Sequence, residues 1–153
     1  MNKEIKFRGK RIDNGEWVCG GYAENDGKAF IVVRTRYIPD TRDWDTVEYY
    51  ENNPCYRLTM IDVEPDTVGQ YIGVNDKNGK EIYEGDIVKR KMFDDCVVGQ
   101  VVRIDIGFCG FMLKCGNRYY HMGKSEHTGI SDCDEVIGNV YENADLLKEA
   151  GNE

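Results

Sequence analysis

Apolar and polar residues alternate along several short stretches of the chain, which is the two-residue repeat of a half-buried β-strand. Near the start, Ile5 and Phe7 alternate with Lys6 and Arg8. The segment 102–106 repeats this pattern, with three aliphatic residues separated by charged ones. The spacing predicts short strands and no long helix over most of the sequence.

Glycines paired with asparagine or aspartate separate these alternating runs. Such pairs readily adopt the positive φ angles that tight hairpin turns require. They stand at Asn14-Gly15, Asp26-Gly27, Asn78-Gly79 and Gly116-Asn117. The chain is therefore predicted to be mainly β, built from antiparallel hairpins.

The strand pattern also predicts how the chain is divided. Residues 76–142 contain about five candidate strands, in an order similar to that of SH3-like small barrels. Residues 1–75 are predicted to form an N-terminal β subdomain with a long insertion at about 35–57, a length that is uncommon unless the loop binds something or is disordered. Residues 143–153 are predicted as a short helix and tail, and the alternative of one compact unit stays open.

Helical features are confined to the C-terminal segment. Asn143 is suited to cap the segment ADLLKEA at 144–150, and Asp145 lies in its first turn, where a negative charge is favourable. Gly151 follows as a stop signal. So short a helix must dock on the sheet to be stable.

Composition limits the classes of function. The chain has 153 residues, of which 41% are hydrophobic, and a formal net charge of -8. This length can bury a core without disulfides, and the hydrophobic content is that of a globular protein. No run of residues is apolar enough for a membrane span, and the start lacks the apolar core of a signal peptide. We therefore expect a cytoplasmic protein with no membrane partner.

A basic cluster at the N-terminus runs against the acidic net charge. The first 11 residues contain a single acidic residue, Glu4. The basic residues among them are Lys3, Lys6, Arg8, Lys10 and Arg11. Three of them alternate, so they lie on one face of a predicted strand. Phosphate binding needs such a basic surface. The cluster predicts, as an alternative function, a nucleic-acid-associated accessory protein, which we expect less than a protein-binding one.

Cysteine and histidine recur at six-residue spacing in the second half of the chain. The set comprises Cys109, Cys115, His121, His127 and Cys133. Thiolates and imidazoles suit zinc, but structural zinc sites usually pair ligands two to four residues apart, and no pair here has that spacing. We predict no metal, no cofactor and no catalytic residue, and hence no enzyme. Most of the six cysteines are interpreted as small, reduced core residues.

Aromatic residues are concentrated in and beside the insertion at 35–57. They are Tyr37, Trp44, Tyr49, Tyr50 and Tyr56. Exposed rings usually pack on the protein body or anchor an interface. Two interpretations stay open: the rings clamp the loop down, or they form a recognition surface for another copy of the chain or for another protein. We prefer a non-enzymatic β module that self-associates or binds a protein partner.

Three sequence blocks resemble the signature blocks of the YopX family, whose members are encoded in bacteriophages and prophages. The blocks are EIKFRGKRIDNGEWVCGGY at 4–22, VEPDTVGQYIGVNDKNGKEIYEGDIVK at 63–89 and EVIGNVYENADLL at 135–147. Cys19 stands where an aromatic residue is common in the family, and Ala144 where proline is common. The resemblance implies a mostly β protein in a phage or prophage setting, hence inside a host cell. In that setting, the partner expected from the aromatic residues is a second copy or a host or phage protein. The resemblance itself implies no particular activity.

Overall fold

Antiparallel strands make up most of the described chain. The structure is a computed structural model that describes residues 5–37, 39, 49, 51–105, 110–122 and 131–151. Its strands are β1 (Phe7–Lys10), β2 (Trp17–Asn25), β3 (Lys28–Tyr37), β4 (Cys55–Val63), β5 (Gly69–Asn75), β6 (Glu81–Tyr83), β7 (Asp86–Met92), β8 (Asp95–Ile104), β9 (Gly110–Cys115), β10 (Arg118–His121) and β11 (Asp134–Asn139). A 3-10 turn spans Pro65–Thr67, and helix α1 spans Asp145–Glu149. The mainly β prediction is confirmed.

The chain divides into two units. The N-terminal unit is Phe7–Val68, and the C-terminal unit is Met1–Lys6 with Gly69–Glu153. Each unit has its own cluster of buried apolar residues. Each is described by itself below.

Four consecutive strands form the N-terminal unit, in the order β4-β3-β2-β1. The two-residue turn at Asp26 and Gly27 joins β2 to β3, with φ angles of 50° and 75°. Positive φ at both positions matches the right-handed twist of the flanking strands, so this predicted hairpin is confirmed. The core of the unit consists of Ala29, Ile31 and Val63.

The two outer strands of this unit meet at one end. Arg11 forms an isolated antiparallel bridge with Val63. Ile12 N–H donates to the Asp62 carbonyl at 3.2 Å. The strands approach so closely that a Cβ on Gly9 would lie 2.8 Å from a methyl carbon of Val63, so only glycine fits there. From Cys55 to Ile61, which precede this bridge in the chain, β4 has no neighbouring strand on its outer side among the described residues.

The C-terminal unit contains a five-stranded sheet in the order β10-β9-β8-β7-β11, and β5 pairs with β6. The buried apolar residues of the unit come from the β5–β6 hairpin and from the middle of the sheet: Val74, Ile82, Val88, Val101 and Leu113. The sheet is open, with β10 and β11 at its two edges. The SH3-like closure predicted for residues 76–142 is therefore not confirmed.

Buried aspartates hold the β5–β6 turn and the start of β7. Asp76 is 1% exposed, and its Oδ1 accepts the N–H groups of Asn78 and Lys80, each at 2.9 Å. Its Oδ2 accepts Val136 N–H from β11 at 3.0 Å. Asp86 accepts Tyr83 N–H at 2.8 Å in the next turn. These carboxylates fix backbone geometry, because each one replaces a backbone acceptor that the turn cannot supply.

A buried ion pair links β7 to β11. The Arg90 guanidinium donates twice to Asp134, at 2.6 and 2.8 Å, and Ser131 Oγ donates to the same carboxylate at 2.7 Å. A third Arg90 bond, of 2.7 Å, reaches the His121 carbonyl at the end of β10. The hydrogen bonds to Asp134 raise the pKa of Arg90 despite its burial. The pair ties three strands together with every charged atom hydrogen bonded, which is the condition for a stable buried pair.

Helix α1 forms where the sequence predicts it, but Asn143 does not cap it. The Asn143 side-chain oxygen accepts Asn139 N–H at 3.2 Å, and the residue at the N-cap position is Ala144, without a side-chain bond. Asn143 is instead part of the turn that follows β11. Among the described helices, none is long and apolar enough to cross a membrane.

We predict that Asp76→Ala lowers the free energy of unfolding by about 3 kcal/mol, because it leaves buried backbone N–H groups without acceptors. Chemical denaturation followed by circular dichroism measures the change. Asp94→Ala, at an exposed turn position, is the matched control and should change the value by less than about 0.5 kcal/mol. Equal effects of the two substitutions would contradict the role assigned to Asp76.

Candidate functional site

Two arginine–tyrosine pairs lie where β3 ends and β4 begins. The Arg34 guanidinium lies 3.5 Å from the Tyr56 ring centre, and the Arg57 guanidinium lies 4.5 Å from that of Tyr37. The strand register places one pair on each face of the β3–β4 ribbon. We call residues 34–37 and 55–58 the ribbon end. Its rings are held in place by cation–π contacts on both sides.

The ribbon end and the strand that continues from it expose large apolar side chains. Tyr37 is 38% exposed and Tyr56 is 50% exposed. Further along β4, Leu58 is 69% exposed and Met60 is 56% exposed. The register places Tyr56, Leu58 and Met60 on one face of the strand. A contiguous apolar strip of this kind is typical of an interaction surface.

Part of the connection between β3 and β4 lies against the ribbon end. Arg36 donates to the Glu51 carbonyl at 2.9 Å, and the Tyr49 carbonyl accepts Asn53 N–H at 2.9 Å. Tyr49 itself is 60% exposed. The other two candidate rings, Trp44 and Tyr50, lie outside the described residues. Of the five predicted rings, Tyr37 and Tyr56 thus lie at the ribbon end, and Tyr49 belongs to a segment bonded to it.

Several members of this surface were not among the predicted site residues. They are Leu58, Met60 and the arginines Arg34, Arg36 and Arg57. The alternation of apolar and polar residues in YRLTM, at 56–60, was a signal for a strand with one apolar face. It could not indicate that this face stays exposed, because exposure depends on which face of the sheet packs on the core.

The basic residues proposed for nucleic-acid binding have local partners. Lys6, in the C-terminal unit, forms an ion pair with Glu81 and lies 5.6 Å from the Tyr71 ring centre. Arg11, in the N-terminal unit, pairs with Asp13 at 2.6 Å.

The other basic candidates differ in their surroundings. Arg8 lies 4.8 Å from the Trp17 ring centre, and Lys10 belongs to β1. Lys3 lies outside the described residues. Acidic neighbours offset the charge of Lys6 and Arg11, and the nucleic-acid alternative stays a prediction.

The cysteines are more exposed than the sequence suggested. Cys19, Cys96 and Cys133 are exposed, and Cys55 and Cys115 are half-buried. The interpretation as core residues is therefore wrong for Cys19, Cys96 and Cys133, because Cys19 lies on the outward face of β2 and Cys96 at the start of β8. Cys115, by contrast, packs against the core of the C-terminal unit. Burial raises the pKa of the Cys115 thiol, which makes it a poorer nucleophile.

The six-residue series of cysteines and histidines is only partly described. Cys109 and His127 lie outside the described residues. Within the described ranges, no three His, Cys, Asp or Glu side chains come together as metal ligands. The absence of a metal, a cofactor and a catalytic residue stays a prediction.

Comparison with known proteins gives two findings. The family model described as YopX protein matches residues 6–148. The crystal structure of protein EF1440 from Enterococcus faecalis is similar to this chain, with a TM-score of 0.50 and 20% sequence identity. That similarity covers 94% of this chain and 98% of the other, and at this identity it indicates a shared fold alone. No curated protein matches the sequence.

We predict an acid-dependent contribution to stability from Glu81. Partial burial disfavours its charged form, but the bonds from Lys6 and Tyr83 outweigh this and lower its pKa below the ordinary value of 4.5. A lowered pKa stabilises the fold above the ordinary value, and the contribution is lost as the pH falls through the lowered one. Denaturation measured between about pH 6 and pH 2 should give a smaller loss of stability for Glu81→Gln than for the wild type.

The matched control for this prediction is Glu64→Gln, at an exposed glutamate of the N-terminal unit. It should leave the dependence of stability on pH as in the wild type. Lys6→Met should reduce the acid-dependent loss as Glu81→Gln does, since it removes the partner that lowers the pKa. A wild-type profile for both Glu81→Gln and Lys6→Met would contradict the assignment.

Proposed function

We propose that this chain, which belongs to the YopX family and matches its model over residues 6–148, is a non-enzymatic β module that binds a protein partner. The contact surface in this proposal is the ribbon end together with the exposed strip of β4. The family resemblance adds a bacteriophage or prophage setting, in which the partner is a phage protein, a host protein or a second copy.

The observation that carries this proposal is the pair of arginine–tyrosine contacts at the ribbon end. Tyrosine and arginine are enriched among the residues that dominate binding energy at protein interfaces. Arg34 and Arg57 restrict the Tyr56 and Tyr37 rings before any partner binds. Preorganised rings lose less conformational entropy on binding, so more of their contact energy contributes to affinity.

The surroundings of the rings also support binding. Leu58 and Met60 extend the apolar surface along β4, and methionine adapts its shape to irregular partners. The exposed carboxylates of Glu51 and Asp62 lie at its margins and would form a polar rim. This arrangement of an apolar centre and a charged margin is typical of a protein interface.

The composition of the surface favours binding over catalysis. The half-buried Cys55 is the thiol of the ribbon end, and no histidine lies among the described residues there. Nucleophilic catalysis by a thiol needs a nearby base or cation that lowers its pKa. The ribbon end offers arginines for this, but it holds them against tyrosine rings.

We predict that Tyr56→Ala and Tyr37→Ala each weaken partner binding about tenfold or more, because each removes an ordered ring from the centre of the surface. Tagged wild type and variants are used to capture proteins from cells that carry the gene, with identification by mass spectrometry. The captured protein is then purified, and its affinity is measured by calorimetry.

Tyr119→Ala is the matched control, since Tyr119 is 47% exposed but lies on β10 in the C-terminal unit. It should bind the partner like the wild type. A partner that binds both ribbon-end variants as tightly as the wild type would contradict this function.

A further inference from the structure

We infer that the partner of this surface is a second copy of the chain, paired through the outer edge of β4 in an antiparallel dimer with its two-fold axis at Leu58. This inference rests on the proposed function and names the partner. It depends on four features of β4: the direction of its backbone groups, the limits of its unpaired edge, its side chains and its charges.

The register of β4 fixes which backbone groups point outward. Ile12 N–H bonds the Asp62 carbonyl from the outer side, so the polar groups of Asp62 point away from β3. Backbone direction alternates along a strand, and the pairing of β4 with β3 is continuous from Val63 to Cys55. The N–H and C=O groups of Tyr56, Leu58 and Met60 therefore also point outward.

Among the described residues, the part of the β4 edge that no strand pairs has a defined length and centre. At one end Pro54, which has no N–H, precedes the strand. At the other end the Asp62 carbonyl is already bonded to Ile12. Leu58 lies midway between these limits, so a two-fold axis there pairs Tyr56 of each copy with Met60 of the other. Such pairing would form about six interchain hydrogen bonds.

The edge of β4 lacks the features that usually prevent pairing between molecules. Natural edge strands are protected by bulges, prolines or inward-pointing charges. The edge strand β11 in the C-terminal unit has such a feature, an irregular register between Val136 and Gly138. Over Tyr56–Met60, by contrast, the register is regular and the sole charged residue is Arg57.

Side chains on the edge are complementary to themselves in this arrangement. Leu58 would meet Leu58 of the second copy, and Tyr56 would lie across from Met60. A surface cavity of about 420 Å³ opens beside Met60, with Ile12, Thr59 and Ile61 also in its lining. The Tyr56 ring of the second copy is placed at the mouth of this cavity. Pairs of an aromatic and an apolar residue across strands stabilise sheets.

The charges of the edge do not oppose the antiparallel arrangement. Arg57 would lie across from the uncharged Thr59 of the second copy, so like charges do not meet. At the other end of the edge, the Asp13 carboxylate is already paired with Arg11. Parallel pairing would bring like charges together, and two such strands could not be related by a two-fold axis across the edge.

The test is the oligomeric state of the purified chain, measured by light scattering and analytical ultracentrifugation. We expect a dimer for the wild type. Leu58→Pro removes an outward N–H without removing a bond to β3, and it should weaken the dimer at least about 30-fold. Leu58→Lys and Leu58→Glu should each be monomeric, because like charges would face each other across the axis. Mixing these two variants should restore a dimer.

A second measurement does not depend on disrupting the strand. In Leu58→Cys the two new thiols face each other across the axis, at the Cα separation of about 5.5 Å that hydrogen-bonded strand pairs have, which permits a disulfide. Mild oxidation should then give a covalent dimer. Phe93→Cys and Phe93→Lys are the controls, since Phe93 is 97% exposed and lies outside the N-terminal unit. They should give no additional cross-link and no dissociation.

Three outcomes would overturn the inference. They are a wild type that stays monomeric at about 100 μM, a dimer that tolerates Leu58→Lys and Leu58→Pro, and a mixture of the Lys and Glu variants that stays monomeric. None of these results contradicts the proposed function. The partner would then be a protein other than a second copy, and its binding would still depend on Tyr56 and Tyr37. The proposed function fails by a separate result: the captured partner binds the Tyr56→Ala and Tyr37→Ala variants as tightly as it binds the wild type.

Discussion

Backbone hydrogen bonding is the constraint on which the rest of this structure depends. Short strands and tight turns leave many N–H groups that a neighbouring strand cannot reach, and leaving them buried without acceptors is costly. In the C-terminal unit, the carboxylates of Asp76 and Asp86 accept these groups. Asp76 bonds residues of its own turn and also β11, so one side chain stabilises both a local turn and a distant strand. The residues of the family-like block at 63–89 therefore have a structural role, which is to hold the turns of this unit.

The same constraint explains why β4 differs from the other strands. Where Arg11 and Ile12 reach it, its outer groups are bonded, and before that point no described strand continues the sheet. Water can satisfy the outward groups, so the isolated chain does not lose stability there. Contact with water is unfavourable for the apolar side chains of Leu58 and Met60, which are more than half exposed. An edge that combines unpaired backbone with exposed apolar residues therefore favours addition of another strand.

Local features of the fold could be predicted from the sequence, and nonlocal ones could not. The Asp26-Gly27 turn was predictable because its φ angles depend on two residues alone. Closure of a barrel depends on whether distant edge strands meet, and alternation within each strand carries no information about that. Asn143 is an exception among the local features, because its side chain accepts a bond from Asn139, four residues earlier, instead of capping the helix. Exposure of the cysteines depends on which face of a strand is covered, so their residue type was a poor guide.

In the candidate site too, local features could be predicted from the sequence and nonlocal contacts could not. Aromatic enrichment predicted Tyr37 and Tyr56, since rings near a long insertion are unusual whatever the fold. Their arginine partners come from the opposite strand, and a pairing such as Arg34 with Tyr56 needs the register of β3 against β4. Leu58 belongs to a strand pattern that would be ordinary in a buried sheet. This apolar face is exposed because the core residues Ile31 and Val63 belong to the opposite face of the β3–β4 ribbon, and the pattern within one strand cannot indicate which of its faces the core covers.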